Sequence, residues 1–235
     1  IIMKFAPYGI FCIMAKVVAE SDFQKLISLG KYFLLVIVVL IIHASLVYPT
    51  LLRIFTGLNP VTFLLKMRPA MLFAFSSASS SATLPVTMEL AEKRVGIGKS
   101  TSSFVLPLGA TINMDGTAIM QGIATVFIAQ QYAIDLSIAQ YLLIILTATM
   151  ASIGTAGVPS AGIVMLVGVL NQVGLPTESI ALILGIDRIL DMIRTAVNVT
   201  GDATVATIVS HWENDFSKDK FNNPQAGLEF EEVKT

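Results

Sequence analysis

The sequence has 235 residues, of which 54% are apolar and 13% charged, and its 15 Lys and Arg against 16 Asp and Glu give a net charge of −1. Because about a quarter of a typical soluble domain is charged, this composition excludes a disordered chain and most soluble enzymes. The balanced charge also excludes a surface built to bind nucleic acid. A single cysteine excludes a disulfide framework, and two histidines leave little basis for a zinc centre or a histidine-dependent hydrolase.

The charged residues are distributed in a way that predicts several membrane spans. Residues 32–52 contain no Asp, Glu, Lys or Arg, and within residues 100–177 the charged residues are Asp115 and Asp135. About 20 apolar residues suffice for a helix to cross the hydrocarbon core of a bilayer. The sequence begins inside an apolar segment without a start methionine or a signal peptide. We therefore expect it to be the carboxyl-terminal part of a longer protein.

The first half of the chain contains three predicted elements. Residues 1–22 form a short apolar helix that ends in a polar break, and residues 23–58 form one long transmembrane helix. A turn at Asn-Pro follows. Residues 61–94 contain two apolar arms that are too short to span a bilayer untilted, joined by a serine-rich tip at 76–81. This pattern predicts a re-entrant hairpin with a polar tip.

The second half of the chain repeats these themes. Residues 100–129 form an apolar span that polar residues and a glycine interrupt at 113–116. Residues 137–171 form a second hairpin with a glycine-rich tip, and residues 177–211 form a last helix that carries several charged residues. We expect residues 212–235, with six acids and three lysines, to be a solvated and partly disordered polar tail.

Two units of the sequence therefore look alike, because each has a hairpin with short arms followed by a helix with polar residues inside it. Interrupted hydrophobic segments in corresponding positions indicate the binding site of a secondary transporter. Unpaired backbone at membrane depth is tolerated only where protein buries it or where it lines a wet cavity. The predicted fold class is an all-α, multi-spanning membrane protein with two re-entrant helical hairpins, two partly broken transmembrane helices and an inverted repeat.

One face of the last helix carries a polar stripe within about 80° of arc, made of Asp187, Asp191, Arg194, Asn198 and Asp202. An acid at the centre of a bilayer costs about 2.5–3.5 kcal/mol even on a lenient scale, so such residues are candidates for function. Asp191 and Arg194 lie one turn apart and partly neutralise each other, whereas Asp202 has no basic neighbour on this face and needs a cation. The alternative is a structural salt-bridge face that holds a helix bundle together.

A second polar group interrupts the preceding span at Asn113, Asp115, Gly116 and Thr117. Glycine weakens the helix and frees backbone carbonyls, and carbonyls joined by a carboxylate are oxygen ligands that suit Na⁺. The alternative is a helix break that is buried in protein and that Asp115 merely caps.

Four other features favour a structural role when each is taken alone. The serine run at 76–81 and the pair Gly154 and Gly157 are typical of close helix packing. We expect His43 to be packed within the helix bundle and Cys12 to act as a small hydrophobic residue.

Four segments closely resemble the glutamate/aspartate transporter family of dicarboxylate and amino acid:cation symporters, namely SSSATLPVTM (79–88), LPLGATINMDGTA (106–118), ASIGTAGVP (151–159) and DRILDMIRTAVNVTGD (187–202). The resemblance covers nearly the whole chain. It implies a homotrimer in a plasma or bacterial inner membrane, whose subunits each have a static scaffold and a transport domain that moves like an elevator. By this resemblance residues 1–22 belong to the scaffold and residues 59–211 form the core of the transport domain.

The resemblance also implies a site for L-aspartate or L-glutamate, in which Arg194 pairs with the side-chain carboxylate and Asp191 with the ammonium group. The other implied substrate residues are Thr195 and Asn198 near the backbone carboxylate, Thr117 beside the side-chain carboxylate, and Ser80, Val158 and Gly162 at the hairpin tips. The chemistry agrees, because arginine offers a planar fork to a carboxylate. A plain C4-dicarboxylate would leave Asp191 unpaired.

The same resemblance implies sodium sites. The ligands of the first are the carbonyls of Gly109, Asn113 and Asn198 with the Asp202 carboxylate, and those of the second are Thr111 with the carbonyls of Ser152, Ile153 and Thr155. Asn113 and Asp115 serve a third site that a helix outside this sequence completes. Acids at 115 and 202 favour Na⁺, since family members that look proton-coupled tend to carry asparagine at the position of Asp202.

The sequence departs from the family at two positions. Archaeal members carry an arginine at the position of Ala78 and animal members carry one at that of Met192, whereas this sequence has neither and carries Arg188 one turn before Asp191. This departure leaves potassium counter-transport open. The leading prediction is a sodium-coupled symporter. The alternatives are proton-coupled symport of the same substrates and an anion channel that does not concentrate its substrate. A third alternative, an intramembrane enzyme, is disfavoured because the sequence lacks a His, Cys or metal constellation.

Overall fold

The computed structural model describes residues 23–227 together with Tyr8, Phe11, Cys12 and Ala15, and of residues 23–26 it describes the backbone alone. The scaffold helix expected at 1–22 thus lies almost entirely outside the described residues. The α-helices are α1 (Phe23–Ile42), α2 (Tyr48–Thr56), α3 (Pro60–Ser77), α4 (Ser80–Leu90), α5 (Lys99–Ile112), α6 (Asp115–Gln131), α7 (Ile138–Ile153), α8 (Ala161–Gln172), α9 (Ala181–Trp212) and α10 (Lys218–Asn222).

Shorter helical turns connect some of these helices. Two π turns span His43–Val47 and Ala91–Val95, and a 3₁₀ turn spans Thr177–Ile180. The β contact in the described part of the chain is an isolated bridge between Ile97 and Phe216. The prediction of an all-helical protein is confirmed.

The first helices form one long apolar segment. Ile27–Thr56, with 30 residues, is the segment within residues 23–227 that is long and apolar enough to cross a membrane as one helix. It contains most of α1, the first π turn and α2, and Pro49 is tolerated because it stands in the first turn of α2. Helix α2 ends at Gly57, whose φ of +70° is a left-handed conformation that glycine adopts without strain.

The first hairpin consists of α3 and α4, which pack against each other. Asn59 caps α3, because its side-chain oxygen accepts a hydrogen bond from the Val61 N–H at 2.9 Å, and Pro60 occupies the first helical position. The chain leaves α3 through Ala78 in a left-handed conformation with φ +50°, and Ser79 then caps α4. These caps define a tight tip between two short helices.

The second hairpin consists of α7 and α8, which are short apolar helices packed against each other. Helix α7 begins with a capping box between Ser137 and Gln140. Residues 154–160 form a tip without helical structure, and the tip ends at Ser160 with a φ of +63°. The second tip therefore leaves several backbone groups outside any helix.

Helix α9 lies at the centre of the structure. It has 32 residues and packs against α1, α2, α3, α4, α5 and α6. The apolar core has two clusters, and α9 contributes Leu190 and Val197 to one and Val199 and Ala203 to the other. In front of α9, Asn113 and Met114 separate α5 from α6. The polar stripe of α9 thus lies between two apolar clusters and opposite a helix break.

Part of the carboxyl-terminal tail packs onto the helices, although the sequence predicts a solvated tail. Phe221 in α10 is buried in an apolar cluster. The Lys66 ammonium in α3 is buried and donates hydrogen bonds to the carbonyls of Arg94, Lys220 and Asn223 at 2.7, 2.9 and 2.8 Å. The tail docks because a buried cation on the first hairpin needs carbonyl acceptors, a contact that the tail's composition does not reveal.

Candidate functional site

The polar stripe of α9 is buried along its length. Asp187, Asp191, Arg194, Asn198 and Asp202 are all buried, and Arg194 is 2% exposed. They share one face because their spacing matches the helical repeat. The Arg194 Nη2 donates to Asp191 Oδ1 at 2.5 Å, and its Nη1 donates to Asp187 Oδ1 at 3.4 Å. The guanidinium is thus held between two carboxylates of its own helix.

This charged group has two carboxyl groups, those of Asp187 and Asp191, for the one guanidinium of Arg194. A buried ion pair is retained only when its geometry and hydrogen bonds compensate for lost solvation. Arg194 can therefore exchange one of its two aspartate partners for the carboxylate of a ligand. The aspartate that is released can then bind a cationic amine.

A small cavity opens onto this group, and all the substrate residues implied by the sequence line it, namely Ser80, Thr117, Val158, Gly162, Asp191, Arg194, Thr195 and Asn198. The tips of both hairpins contribute to its wall. Its volume is about 20 Å³, which is room for a water molecule and not for an amino acid. The hairpin tips therefore close over the charged group in this structure.

Close packing fixes the walls of this cavity. A Cβ atom on Gly162 would lie 2.9 Å from Thr117 Cγ2 and 3.2 Å from Arg194 Nη2, so only glycine lets α8 approach the guanidinium this closely. The Asn198 side chain accepts a hydrogen bond from the Gly116 N–H at 2.8 Å and donates one to the Thr117 hydroxyl at 3.3 Å. Asn198 thereby attaches α9 to the first turn of α6.

A second polar group surrounds Asp202 two turns farther along α9. Its Oδ1 accepts a hydrogen bond from Asn113 Nδ2 at 3.0 Å, and a Cβ atom on Gly109 would lie 2.7 Å from the same oxygen. Asp202 is 4% exposed and has no basic partner in the described part of the chain. Gly109, Asn113 and Asp202, three of the implied ligands of the first sodium site, thus lie together.

Asp115 lies in a separate polar group. Its Oδ2 contacts His43 Nε2 at 3.2 Å and accepts a hydrogen bond from the Tyr48 hydroxyl at 3.1 Å. His43 and Tyr48 reach the same oxygen because the π turn stacks residues five apart, as the Tyr48 N–H to His43 carbonyl hydrogen bond shows. The expectation that His43 is merely packed in the bundle therefore misses a polar contact with an acid.

The residues implied for the second sodium site are not joined by side-chain contacts in the described structure. Thr111 is exposed and its hydroxyl donates to the Leu108 carbonyl of its own helix. The hydroxyls of Ser152 and Thr155 likewise donate to carbonyls of α7, at Thr149 and Ala151. Ile153 is partly exposed at the end of that helix.

The sequence does not predict the contacts that Asp187 and His43 make in these groups. Asp187 belongs to the predicted stripe, but its spacing alone does not show that it pairs with Arg194 seven positions later. His43 is an ionisable residue in an otherwise uncharged apolar span, and such a residue is a functional candidate by default. That signal was available in the sequence. The described residues contain no cluster of three or more His, Cys, Asp and Glu side chains that could hold a metal ion.

Comparison with known proteins agrees with the four sequence motifs. Residues 1–212 match the model of the sodium:dicarboxylate symporter family. The chain is 50% identical over 210 residues to excitatory amino acid transporter 3 of Mus musculus, covering 89% of this chain and 40% of that protein. It is 46% identical over 213 residues to excitatory amino acid transporter 1 of Homo sapiens, covering 90% and 39%. It is 45% identical over 212 residues to excitatory amino acid transporter 2 of Mus musculus, covering 89% and 37%.

The chain thus spans about two fifths of the length of these relatives. The match of a family model to residues 1–212 confirms the resemblance stated from the motifs. The chain belongs to the sodium:dicarboxylate symporter family.

Proposed function

We propose that the protein containing this chain is a secondary active symporter that takes up L-aspartate or L-glutamate and uses the sodium gradient. The observation that carries the proposal is the buried guanidinium of Arg194 beside Asp191, under two hairpin tips. An acidic amino acid supplies the carboxylate and the ammonium that this pair requires. The names of the relatives, excitatory amino acid transporters, support the same substrate class.

In this proposal each side chain of the cavity has a separate role. The side-chain carboxylate of the substrate binds the Arg194 guanidinium. The ammonium group of the substrate replaces Arg194 as the partner of Asp191 Oδ1. Asn198 and Thr195 bind the backbone carboxylate, and Thr117 lies beside the side-chain carboxylate. Ser80, Val158 and Gly162 cover the ligand. Binding is then an exchange of ion pairs, and a neutral amino acid leaves Arg194 without its second partner.

Sodium neutralises the remaining carboxylates in this proposal. The substrate brings a further negative charge to a group that already has more acids than bases. Gly109, Asn113 and Asn198 with Asp202 bind one Na⁺, and Thr111 with Ser152, Ile153 and Thr155 binds another. Asn113 and Asp115 serve a third, which other parts of the longer protein complete. Coupling follows, because each Na⁺ lowers the electrostatic cost of the anionic substrate.

We further propose the architecture that accompanies this function. Each hairpin enters and leaves the membrane on a single side, and the two halves form an inverted repeat that puts the two hairpins on opposite sides. Residues 59–211 move as a transport domain in an elevator-like manner. Residues 1–22 belong to the scaffold of a homotrimer in the plasma or inner membrane. The outward apolar side chains of Ile27–Thr56 support contact with lipid or with such a scaffold.

Uptake into liposomes tests the function. The longer protein that contains this chain is reconstituted, and labelled L-aspartate is supplied under an inward Na⁺ gradient, under a proton gradient without Na⁺, or under neither. We expect accumulation above the external concentration under the Na⁺ gradient alone. Accumulation under the proton gradient alone would establish the proton-coupled alternative. Equilibration without accumulation would establish a channel.

A further inference from the structure

The tips of the two hairpins meet at one backbone carbonyl. The Gly157 oxygen in the second tip accepts a hydrogen bond from the Ser79 hydroxyl at 2.6 Å and another from the Ser81 N–H at 3.1 Å. Both Ser79 and Gly157 are buried. Two donors of the first hairpin therefore converge on one acceptor of the second.

This contact depends on the absence of a side chain at position 157. A Cβ atom there would lie 2.5 Å from Ser81 Oγ, 3.0 Å from Ser81 N and 3.2 Å from the carbonyl oxygen of Ala110 in α5. The approach to Ser81 Oγ is closer than real Cβ atoms come, and the two backbone contacts are tight, so a larger residue at 157 would require Ser81 or the backbone of the tips to shift. The tip of the second hairpin thus fits a narrow space between the first hairpin and α5.

Few other polar contacts hold the second tip. In the described part of the chain, residues 154–160 make one further hydrogen bond outside their own hairpin, from the Ser160 N–H to Asp191 Oδ2 at 2.8 Å. That bond ends on a residue which the proposed substrate engages. The contact at Gly157 therefore joins the two tips directly, and it does not involve a proposed substrate-binding side chain.

We propose that the Ser79 hydroxyl and the Gly157 carbonyl form a latch that holds the hairpin tips closed over the cavity, with Ser79 as a positioning residue. The consequence for transport rests on the proposed function, whereas the latch itself does not. A single intramolecular hydrogen bond changes an equilibrium by about three- to tenfold. Loss of the Ser79 hydroxyl should raise the open fraction by this factor.

The Ser79 side chain also has a structural role, and the experiment must separate this role from the latch. Its oxygen also accepts a hydrogen bond from the Ala82 N–H at 3.2 Å and so caps α4. Glycine at a cap position costs only a few tenths of a kcal/mol relative to serine, whereas alanine costs more. Ser79→Gly therefore removes the donor of the latch with little loss of the cap, and Ser79→Thr keeps both.

The test measures access to a cysteine behind the latch. Ala110→Cys is introduced into the longer protein after every other cysteine, including Cys12, has been replaced, because Ala110 is buried and its carbonyl oxygen lies beside Gly157. Its rate of modification by a maleimide reports the open fraction when closing is fast. Ser76→Ala is the matched control, since this hydroxyl of the same hairpin bonds only to the Leu72 carbonyl in its own helix.

We expect Ser79→Ala and Ser79→Gly to raise the modification rate about three- to tenfold, with Ser79→Thr and Ser76→Ala near the parent rate. Because the closed fraction changes much less than the open fraction, the apparent affinity for L-aspartate should fall by less than this factor in the first two variants. An unchanged rate in Ser79→Gly would overturn the latch, even if Ser79→Ala is affected through its cap or its folding. If the parent protein does not bind L-aspartate at all, the proposed function fails while the modification rates still decide the latch.

Discussion

Asp191→Asn removes a charge from the centre of the site and keeps the shape of the side chain. In the structure the Asp191 carboxylate receives hydrogen bonds from Arg194 Nη2 and from the Ser160 N–H. The asparagine oxygen can keep one of these bonds, and Arg194 retains Asp187 as an ionic partner. The substitution should therefore leave the fold intact and affect mainly the ligand that needs a negative charge.

The expected size of the effect follows from burial. Asp191 is 4% exposed, so a bound ammonium group that loses this partner is not compensated by water. Truncating one member of a buried charge pair costs about 2–5 kcal/mol, which is about a 30- to 4000-fold loss of affinity. Succinate has two carboxylates and no ammonium group, so its affinity should stay the same or rise in the variant.

Calorimetric titration of the longer protein with L-aspartate and with succinate, at one fixed Na⁺ concentration, measures both effects. Asp135→Asn is the matched control, because it removes the same charge from an exposed loop. Parent-like affinity of Asp191→Asn for L-aspartate would remove this residue from the site. An equal loss for both ligands would show a general defect of the site and would refute the assignment of Asp191 to the ammonium group.

Three further substitutions probe other parts of the structure. Arg194→Thr should abolish uptake of acidic substrates and permit small neutral amino acids, and parent-like L-aspartate uptake by this variant would contradict the role of the guanidinium. Asp202→Asn should weaken Na⁺ binding, measured by titration, and by reciprocal coupling should lower the apparent substrate affinity at fixed Na⁺; equal Na⁺ affinities would exclude Asp202 as a ligand. Lys66→Met should remove the ammonium donor that three carbonyls share, at a cost of about 1–3 kcal/mol, so a protease should cleave residues 213–227 faster than in the parent protein.

Local features of the fold could be predicted where one segment carries its own signal. The uncharged run at 32–52 predicts a membrane span, and a continuous apolar helix covers it. The polar residues at 113–116 predict an interruption, and the helices end at Ile112 and resume at Asp115. The stripe of α9 follows from helical spacing alone. The re-entrant course of the hairpins and the residue roles in the site stay predictions.

Contacts between distant segments could not be predicted from these patterns. The pairing of Asp115 with His43 and the docking of the tail on Lys66 depend on how helices lie beside one another. Sequence spacing specifies which residues share a face, but it does not say which other helix that face meets. The lack of space at Gly157 is likewise set by three segments that are far apart in the chain.

The π turn at His43–Val47 keeps the long apolar segment in helical phase. Leu40 and Leu52 are both fully buried, yet twelve positions of regular α-helix would rotate one from the other by about 120°. Because a π turn accommodates one extra residue, the effective rotation falls to about 20°. The turn thus acts as a single-residue insertion that the helix absorbs without changing which side faces the protein.

It follows that this segment can lose one residue at this place and keep its inward face. Deleting the exposed Ser45 would convert the π turn into ordinary α-helix, with His43 and Tyr48 then four positions apart and still neighbours on one face. Deleting Val38, within α1, removes a residue from regular α-helix. The side chains after the deletion would then be rotated about the helix axis by about 100° relative to those before it. The same one-residue loss therefore keeps the inward face of the span at one position and rotates it when it occurs seven positions earlier.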